Sequence, residues 1–185
     1  LSDEQVSPDN TKILYGMSYY SIEQNKGNRE LYVMDIDGGN VTQLTKTSGG
    51  EYSAVWYDNE TIAYMSARDG GMQLWFINTD GTSARKVSDI DGGINGFKFS
   101  PDRTKIMYTA DVKLDDNIQD LYPDMPKSSA RIENDLMYRH WDEWHDYAYS
   151  HVFIADFQEN KVSNAIDIMD GQRYDAPTKP WGGTE

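Results

Sequence analysis

The residues with the richest chemistry crowd into one stretch. Residues 112–150, with His151 beside them, hold the chain's three histidines, His140, His145 and His151, and the carboxylates Asp135, Asp142, Glu143 and Asp146. Imidazole and carboxylate are the usual nitrogen and oxygen ligands of divalent metals. The spacing argues against a metal site. His140 and His145 are five positions apart, roughly 500° around a helix of 3.6 residues per turn, so they do not share a face. No His-Glu-x-x-His string occurs. Packed or surface histidines are expected, with no metal and no cofactor. Asp35-x-Asp37-Gly38 and Asp89-x-Asp91-Gly92 resemble the opening of a calcium loop. Both lack the further oxygen ligands and the closing Glu that such a loop needs, so they read as hairpin turns.

Composition excludes several other chemistries. The chain has no cysteine, which rules out disulfides, thiolate catalysis and zinc–thiolate centres. A net charge of −14 makes a poor nucleic-acid binder, because phosphate contacts need Lys and Arg to displace counterions. No apolar run approaches the ~18 residues of a membrane span. Leu1-Ser2-Asp3-Glu4 does not read as a signal peptide, and a processed or trimmed start is expected. Two sequons, Asn40-Val41-Thr42 and Asn59-Glu60-Thr61, arise readily by chance and carry no weight.

The crowded stretch needs a scaffold, and a repeat supplies it. SPDNTKILY (7–15) returns as SPDRTKIMY (100–108), with a worn copy, YDNETIAY, at 57–64. LYVMDIDGGNVTQLT (31–45) matches LWFINTDGTSARKVS (74–88), and VFIADFQENKVSNAI (152–166) is a weaker third copy. The first two lie about 43 residues apart, close to the length of a four-stranded propeller blade. The third holds an insertion of roughly 35 residues.

Each unit reads as four strands. The first carries Gln5-Val6, Ala54-Val55-Trp56 or Phe97-Lys98-Phe99. The second carries an Ile-x-Tyr step, Ile13/Tyr15, Ile62/Tyr64 or Ile106/Tyr108, with both side chains on one face. The third is apolar on both faces (31–34, 74–77, 152–155), as a strand covered on both sides must be. The fourth is short and mixed, suited to an exposed edge. Inside the insertion, Ser128 or Ser129 is a candidate cap. Leu136, Met137, His140, Trp141 and Trp144 fall on one helical face. That spacing predicts a helix whose Trp and Met side chains pin it to the sheet, as core rather than as a substrate box.

SARDGGMQLWFINTDGTSARKVS (66–88) is similar to the repeat of Tol-type periplasmic propellers. The same repeat builds the propeller of prolyl-oligopeptidase-family serine peptidases. SSARIENDLMYRHWDEW (128–144) followed by SHVFIADF (150–157) resembles the third-blade region of the bacterial dipeptidyl- and acylaminoacyl-peptidases of that family. The resemblance implies an all-β fold: a partial β-propeller of about three four-stranded antiparallel blades with a short helical insertion. The expected bounds are blade one 4–45, blade two 53–88, blade three 95–166 with insertion 112–150, and the start of a next blade 167–185.

In that family a propeller caps an α/β-hydrolase domain, filters substrates and shapes the pocket. The resemblance therefore implies peptide substrates and a periplasmic location, with the cytoplasm as the alternative. An α/β-hydrolase nucleophile sits in Gly-x-Ser-x-Gly. The nearest strings, at 16–20 and 81–85, lack the second Gly. No catalytic residue is expected in this chain, which reads as a fragment without its hydrolase domain. Related dipeptidyl peptidases use carboxylates from a propeller insertion to hold the substrate's α-amine. Asp142 and Glu143 resemble that grip in type and rough location; a solvated helix face is the other reading. A Tol-type protein-binding module is the competing function. Open blade faces and edges also predict self-association of the fragment.

Overall fold

The computed structural model describes residues 2–134, 136 and 138–176. Three four-stranded antiparallel sheets follow one another along the chain. The first holds β1 (Ser2–Val6), β2 (Lys12–Ser21), β3 (Lys26–Asp35) and β4 (Thr42–Gln43), in that spatial order. The second holds β5 (Glu51–Trp56), β6 (Thr61–Ser66), β7 (Gln73–Asn78) and β8 (Arg85–Lys86). The third begins with β9 (Gly96–Phe99) and β10 (Lys105–Lys113). It is interrupted by α1 (Ile118–Leu121) and a two-stranded ribbon, β11 (Arg139–His140) and β12 (Glu143–Trp144). It then closes with β13 (Ala148–Gln158) and β14 (Lys161–Asp167), in the order β9-β10-β13-β14. The all-β, partial-propeller reading is what the chain adopts.

The repeated turn folds the same way twice. Ser7 Oγ donates to Asp9 Oδ1 at 2.6 Å, and Asp9 Oδ1 accepts from Thr11 N at 3.1 Å. Ser100 Oγ donates to Asp102 Oδ1 at 2.6 Å, and Asp102 Oδ1 accepts from Thr104 N at 3.1 Å. Asn10 and Arg103 take positive φ at the same position of each turn. The Asp side chain thus supplies the acceptor that a tight turn leaves missing on the backbone. At Asp37, Oδ1 accepts from Gly39 N at 2.9 Å, a hairpin bond.

Two apolar seams join the sheets. Leu14, Leu31, Val33 and Leu44 of the first pack on Ala54, Ile62, Tyr64, Trp75 and Ile77 of the second. Ala63, Met65, Leu74 and Phe76 turn the other way, onto Ile106, Tyr108, Ala110, Ala155 and Phe157 of the third. Strand β7 therefore spends alternate side chains on opposite neighbours, which is why it is apolar throughout. Tyr57, Phe76, Phe99 and Phe157 form an aromatic cluster in the second seam, with Phe99 and Phe157 centroids 5.0 Å apart. The Ile-x-Tyr pairs Ile62/Tyr64 and Ile106/Tyr108 each face the preceding sheet.

The insertion departs from expectation. Its helix is α1, capped by Asn117, whose side chain accepts from Gln119 N and Asp120 N while Asp120 bonds back to Asn117 N. Residues 136 and 138–144 are not helical. Arg139 pairs with Trp144 and His140 with Glu143 across a turn in which Trp141 has φ +53°. A helical face at i, i+4, i+5 and i+8 needs a surface to cover, and this one has none. Leu136 is 85% exposed, Trp141 78% and Trp144 46%, so these side chains do not pin the segment to the sheet. Ser128 and Ser129 cap no helix. Met137, Asp135 and the expected start of a next blade from 177 onward lie outside the described residues.

Candidate functional site

Antiparallel order sorts every connection onto one of two rims. The β1 start, the β2–β3 turn, the β5 start, the β6–β7 loop, the β9 start and the insertion share one rim. Bonds between sheets tie that rim together. Arg29 Nε donates to the Glu51 carbonyl at 2.8 Å, and Ile94 N to the Met72 carbonyl at 2.8 Å. A Cβ at Gly93, where φ is +90°, would come within 2.8 Å of the Met72 backbone, so the two loops nest closely.

A buried polar cluster braces the rim between the first two sheets. Glu30 accepts from Asn28 Nδ2 (2.8 Å), Thr47 N (2.8 Å) and Thr45 Oγ1 (2.7 Å). Glu51 accepts from Thr47 Oγ1 (2.7 Å) and Arg68 Nη2 (2.8 Å). Arg68 also donates to Tyr64 Oη at 2.7 Å and lies 4.5 Å from the Trp75 ring centroid. Burial pushes the Glu51 carboxyl up, and Thr47, Ser66 and Arg68 pull it back only part of the way. Burial likewise pushes the Tyr64 hydroxyl well above its ordinary value. Sequence reasoning missed this cluster, because its members meet only once strand pairing within the second sheet and packing of the first sheet beside it bring them together.

The insertion rises from the same rim on the paired arms of β10 and β13. Their register runs unbroken from Lys105↔Asp156 to Lys113↔Ala148. Leu114 N and Asp115 N both donate to the Tyr147 carbonyl and close its base. Above that base, Tyr138 stacks on Trp144 with centroids 6.0 Å apart. Arg139 lies 5.0 Å from the Trp144 ring, and Arg131 lies 4.9 Å from the Tyr147 ring. Arg131 also pairs with Glu133 at 2.8 Å and bonds the His145 carbonyl. Leu136, Tyr138, Arg139 and Trp141 line a shallow recess.

Asp142 and Glu143 stand at the ribbon tip, and both are exposed. Carboxylates so placed are free to meet a cation, and their charge is screened by water until something covers them. Among the described residues no group of histidine and carboxylate side chains could hold a metal ion. His145 Nδ1 accepts from Tyr147 N at 3.0 Å. His151 is wholly buried at the foot of β13, bonded to Asp167 and to the Gln172 carbonyl. With both ring nitrogens occupied, His151 is unavailable as a general base.

The model of the TolB β-propeller domain matches residues 4–132, more than half the chain. The chain belongs to that family. The propeller is 43% identical, over its whole length, to Dipeptidyl-peptidase 5 of Porphyromonas gingivalis, of which it covers 27%. It superposes on the acylaminoacyl peptidase of Pyrococcus horikoshii with a TM-score of 0.65 at 15% identity, over 90% of this chain and 24% of that one. It superposes on TolB of Acinetobacter baumannii with a TM-score of 0.54 at 19% identity, over 86% and 31%. The two structural likenesses speak to fold alone. The likeness to peptidase propellers expected from residues 66–88 and 128–157 is the one found. The propeller spans about a quarter of the curated relatives it matches. Among the described residues no helix is long and apolar enough to cross a membrane.

Proposed function

We propose that the propeller is the substrate-gating part of a serine exo- or oligopeptidase that hydrolyses short peptides. The observation that carries this reading is the ribbon-bearing insertion on one rim, in a chain alike from end to end to a dipeptidyl peptidase. A propeller used only for docking has no need of so long an excursion. In this reading an α/β-hydrolase domain outside this chain supplies the nucleophile and seats against the insertion rim. Asp142 and Glu143 then hold the α-amine of the substrate, because a charge-assisted hydrogen bond selects a protonated amine once water is excluded. The periplasm is the proposed compartment, in keeping with the TolB likeness.

The test uses the whole protein. Asp142→Asn and Glu143→Gln together are expected to lower kcat/KM for free-amine dipeptidyl substrates at least tenfold, with N-acylated substrates unaffected. An unchanged preference in the double variant removes the grip. The 185-residue chain alone is expected to hydrolyse neither class.

The second reading is a protein-binding propeller, favoured by the family model itself. It requires no hydrolase sequence in the same polypeptide, so the gene downstream decides between the two. We further propose that the isolated chain pairs with a second copy of itself. Met107, Ile154 and Ile166 line up across β10, β13 and β14 on the outer face of the third sheet, 39%, 41% and 65% exposed. Such an apolar stripe favours association in water. Light scattering that finds only monomer at high concentration removes that proposal.

A further inference from the structure

His151 has no solvent exposure, and both of its ring nitrogens meet oxygen acceptors. Nδ1 lies 2.7 Å from Asp167 Oδ2, and Nε2 lies 2.8 Å from the Gln172 carbonyl. A neutral imidazole has one N–H to give. The carbonyl cannot donate, and Asp167 accepts from Met169 N with its other oxygen. Both bonds exist together only while the His151–Asp167 pair holds its extra proton.

The segment that this pair fastens is the run that leaves β14. Ile168 N donates to the Val152 carbonyl at 3.1 Å, and Val152 N to Met169 Sδ at 3.4 Å. Ser150 N donates to Asp175 Oδ1 at 2.9 Å, and Ala176 N to the Ser150 carbonyl at 2.8 Å. Residues 168–176 thus lie as a strap along the start of β13, with His151 in the middle. The strap also reaches the insertion, since Arg173 pairs with Asp115 at 2.7 Å and Tyr149 bonds the same carboxylate at 3.0 Å.

We propose that His151 is a protonation-dependent latch. Charged, it fastens the strap 168–176 to the third sheet and, through Arg173 and Asp115, to the base of the insertion. Neutral, it gives up one of its two bonds and loosens both. The inference stands on the hydrogen bonds alone and does not depend on the peptidase reading.

The surroundings favour the charged state. The titratable groups on the neighbouring elements are Lys105, Tyr108, Asp111 and Lys113 on β10, Tyr149 and Asp156 on β13 itself, Lys161 and Asp167 on β14, Asp170, Arg173, Tyr174 and Asp175 on the strap, and Asp115 at the insertion base. Of the cations, Lys105 pairs with Asp156, Lys113 with Asp120 and Arg173 with Asp115, while Lys161 stands at the far end of β14, opposite Gln158. Burial pushes His151 down, but the Asp167 bond, the Gln172 carbonyl and the Asp167 and Asp170 charges outweigh it and hold the ring above its ordinary value. A raised histidine contributes fully below its unfolded value of about 6.5 and is lost as pH rises through the folded value. The latch is therefore closed in mild acid and opens toward alkaline pH.

Hydrogen exchange of the 185-residue chain between pH 6 and pH 9.5, corrected for intrinsic rates, tests the latch. Protection of 150–152 and 168–176 is expected to fall at least tenfold relative to β6 and β7. Asp167→Asn is expected to move the midpoint of that fall down by at least one pH unit, and His151→Gln to leave the strap poorly protected at every pH. A wild-type ratio that stays flat across the range overturns the proposal, whatever the variants do. So does an Asp167→Asn midpoint that coincides with wild type.

Discussion

Arg68 and Glu51 form an ion pair that closes the rim between the first two sheets, with Nη2 and Oε1 2.8 Å apart and the Glu51 side chain wholly buried. Arg68→Met leaves that carboxylate without its counter-charge and is expected to cost about 3–5 kcal/mol. Arg68→Met with Glu51→Gln is expected to cost less than the two single changes added together. A urea-denaturation cycle measures both. A carboxyl raised on folding contributes less as pH climbs above its ordinary 4.5. Removing Arg68 takes away an opposing influence, so the decline with pH steepens in the variant.

Gly16 and Arg29 make a second such dependence. A Cβ at Gly16 would overlap the Arg29 guanidinium. That group is buried and committed to Asp3 at 2.6 Å, to the Glu51 carbonyl at 2.8 Å and to Ser2. Gly16→Ala is expected to destabilise by about 1–3 kcal/mol, the usual consequence of overfilling a packed site. Thermal melts of Gly16→Ala, Arg29→Ala and the double variant check it. Non-additive losses are expected, because the glycine change acts through Arg29.

The repeated Ser-Pro-Asp turn predicts a matched pair of acid effects. Bonds from Ser7 and Thr11 hold Asp9 below the usual carboxylate range, and bonds from Ser100 and Thr104 do the same for Asp102. A depressed carboxyl contributes at pH above its unfolded value, about 3.8, and that contribution is lost as pH falls through the folded one. Asp9→Asn and Asp102→Asn should each lower Tm by more at pH 7 than at pH 3. Equal losses at both pH values would sink this account of the turn.

Exposure sets the last contrast. Trp141 is 78% exposed and Phe76 is wholly buried. Trp141→Ala is expected to change stability by less than about 0.5 kcal/mol, while Phe76→Ala costs about 3–5 kcal/mol. Equilibrium unfolding distinguishes them. A large loss at Trp141 would mean that the ribbon tip packs against the sheets after all.

The sheets were legible because period-two patterning and turn chemistry agree at each level. Leu74-Trp75-Phe76-Ile77 announces burial on both faces, and Asp80-Gly81 announces the turn that follows. Asp142 and Glu143 were legible as an acidic pair, and their place at a ribbon tip was not. The spacing of Leu136, His140, Trp141 and Trp144 imitates a helix, while the turn depends on Trp141 at positive φ, which few non-glycine residues adopt. Glu51–Arg68 and His151–Asp167 were illegible for another reason. Each joins residues about sixteen positions apart whose contact exists only after strand pairing has fixed the register.

The nine paired positions between Lys105 and Lys113 that form the centre of the third sheet also carry the insertion at their end. Its ribbon draws rigidity from that ladder and spends none of the two apolar seams that hold the sheets. Changes of length or sequence at the tip are therefore nearly invisible to folding. A lineage can retune what the tip meets while the stack beneath it stays intact, so innovation and stability are carried by separate parts of one strand pair.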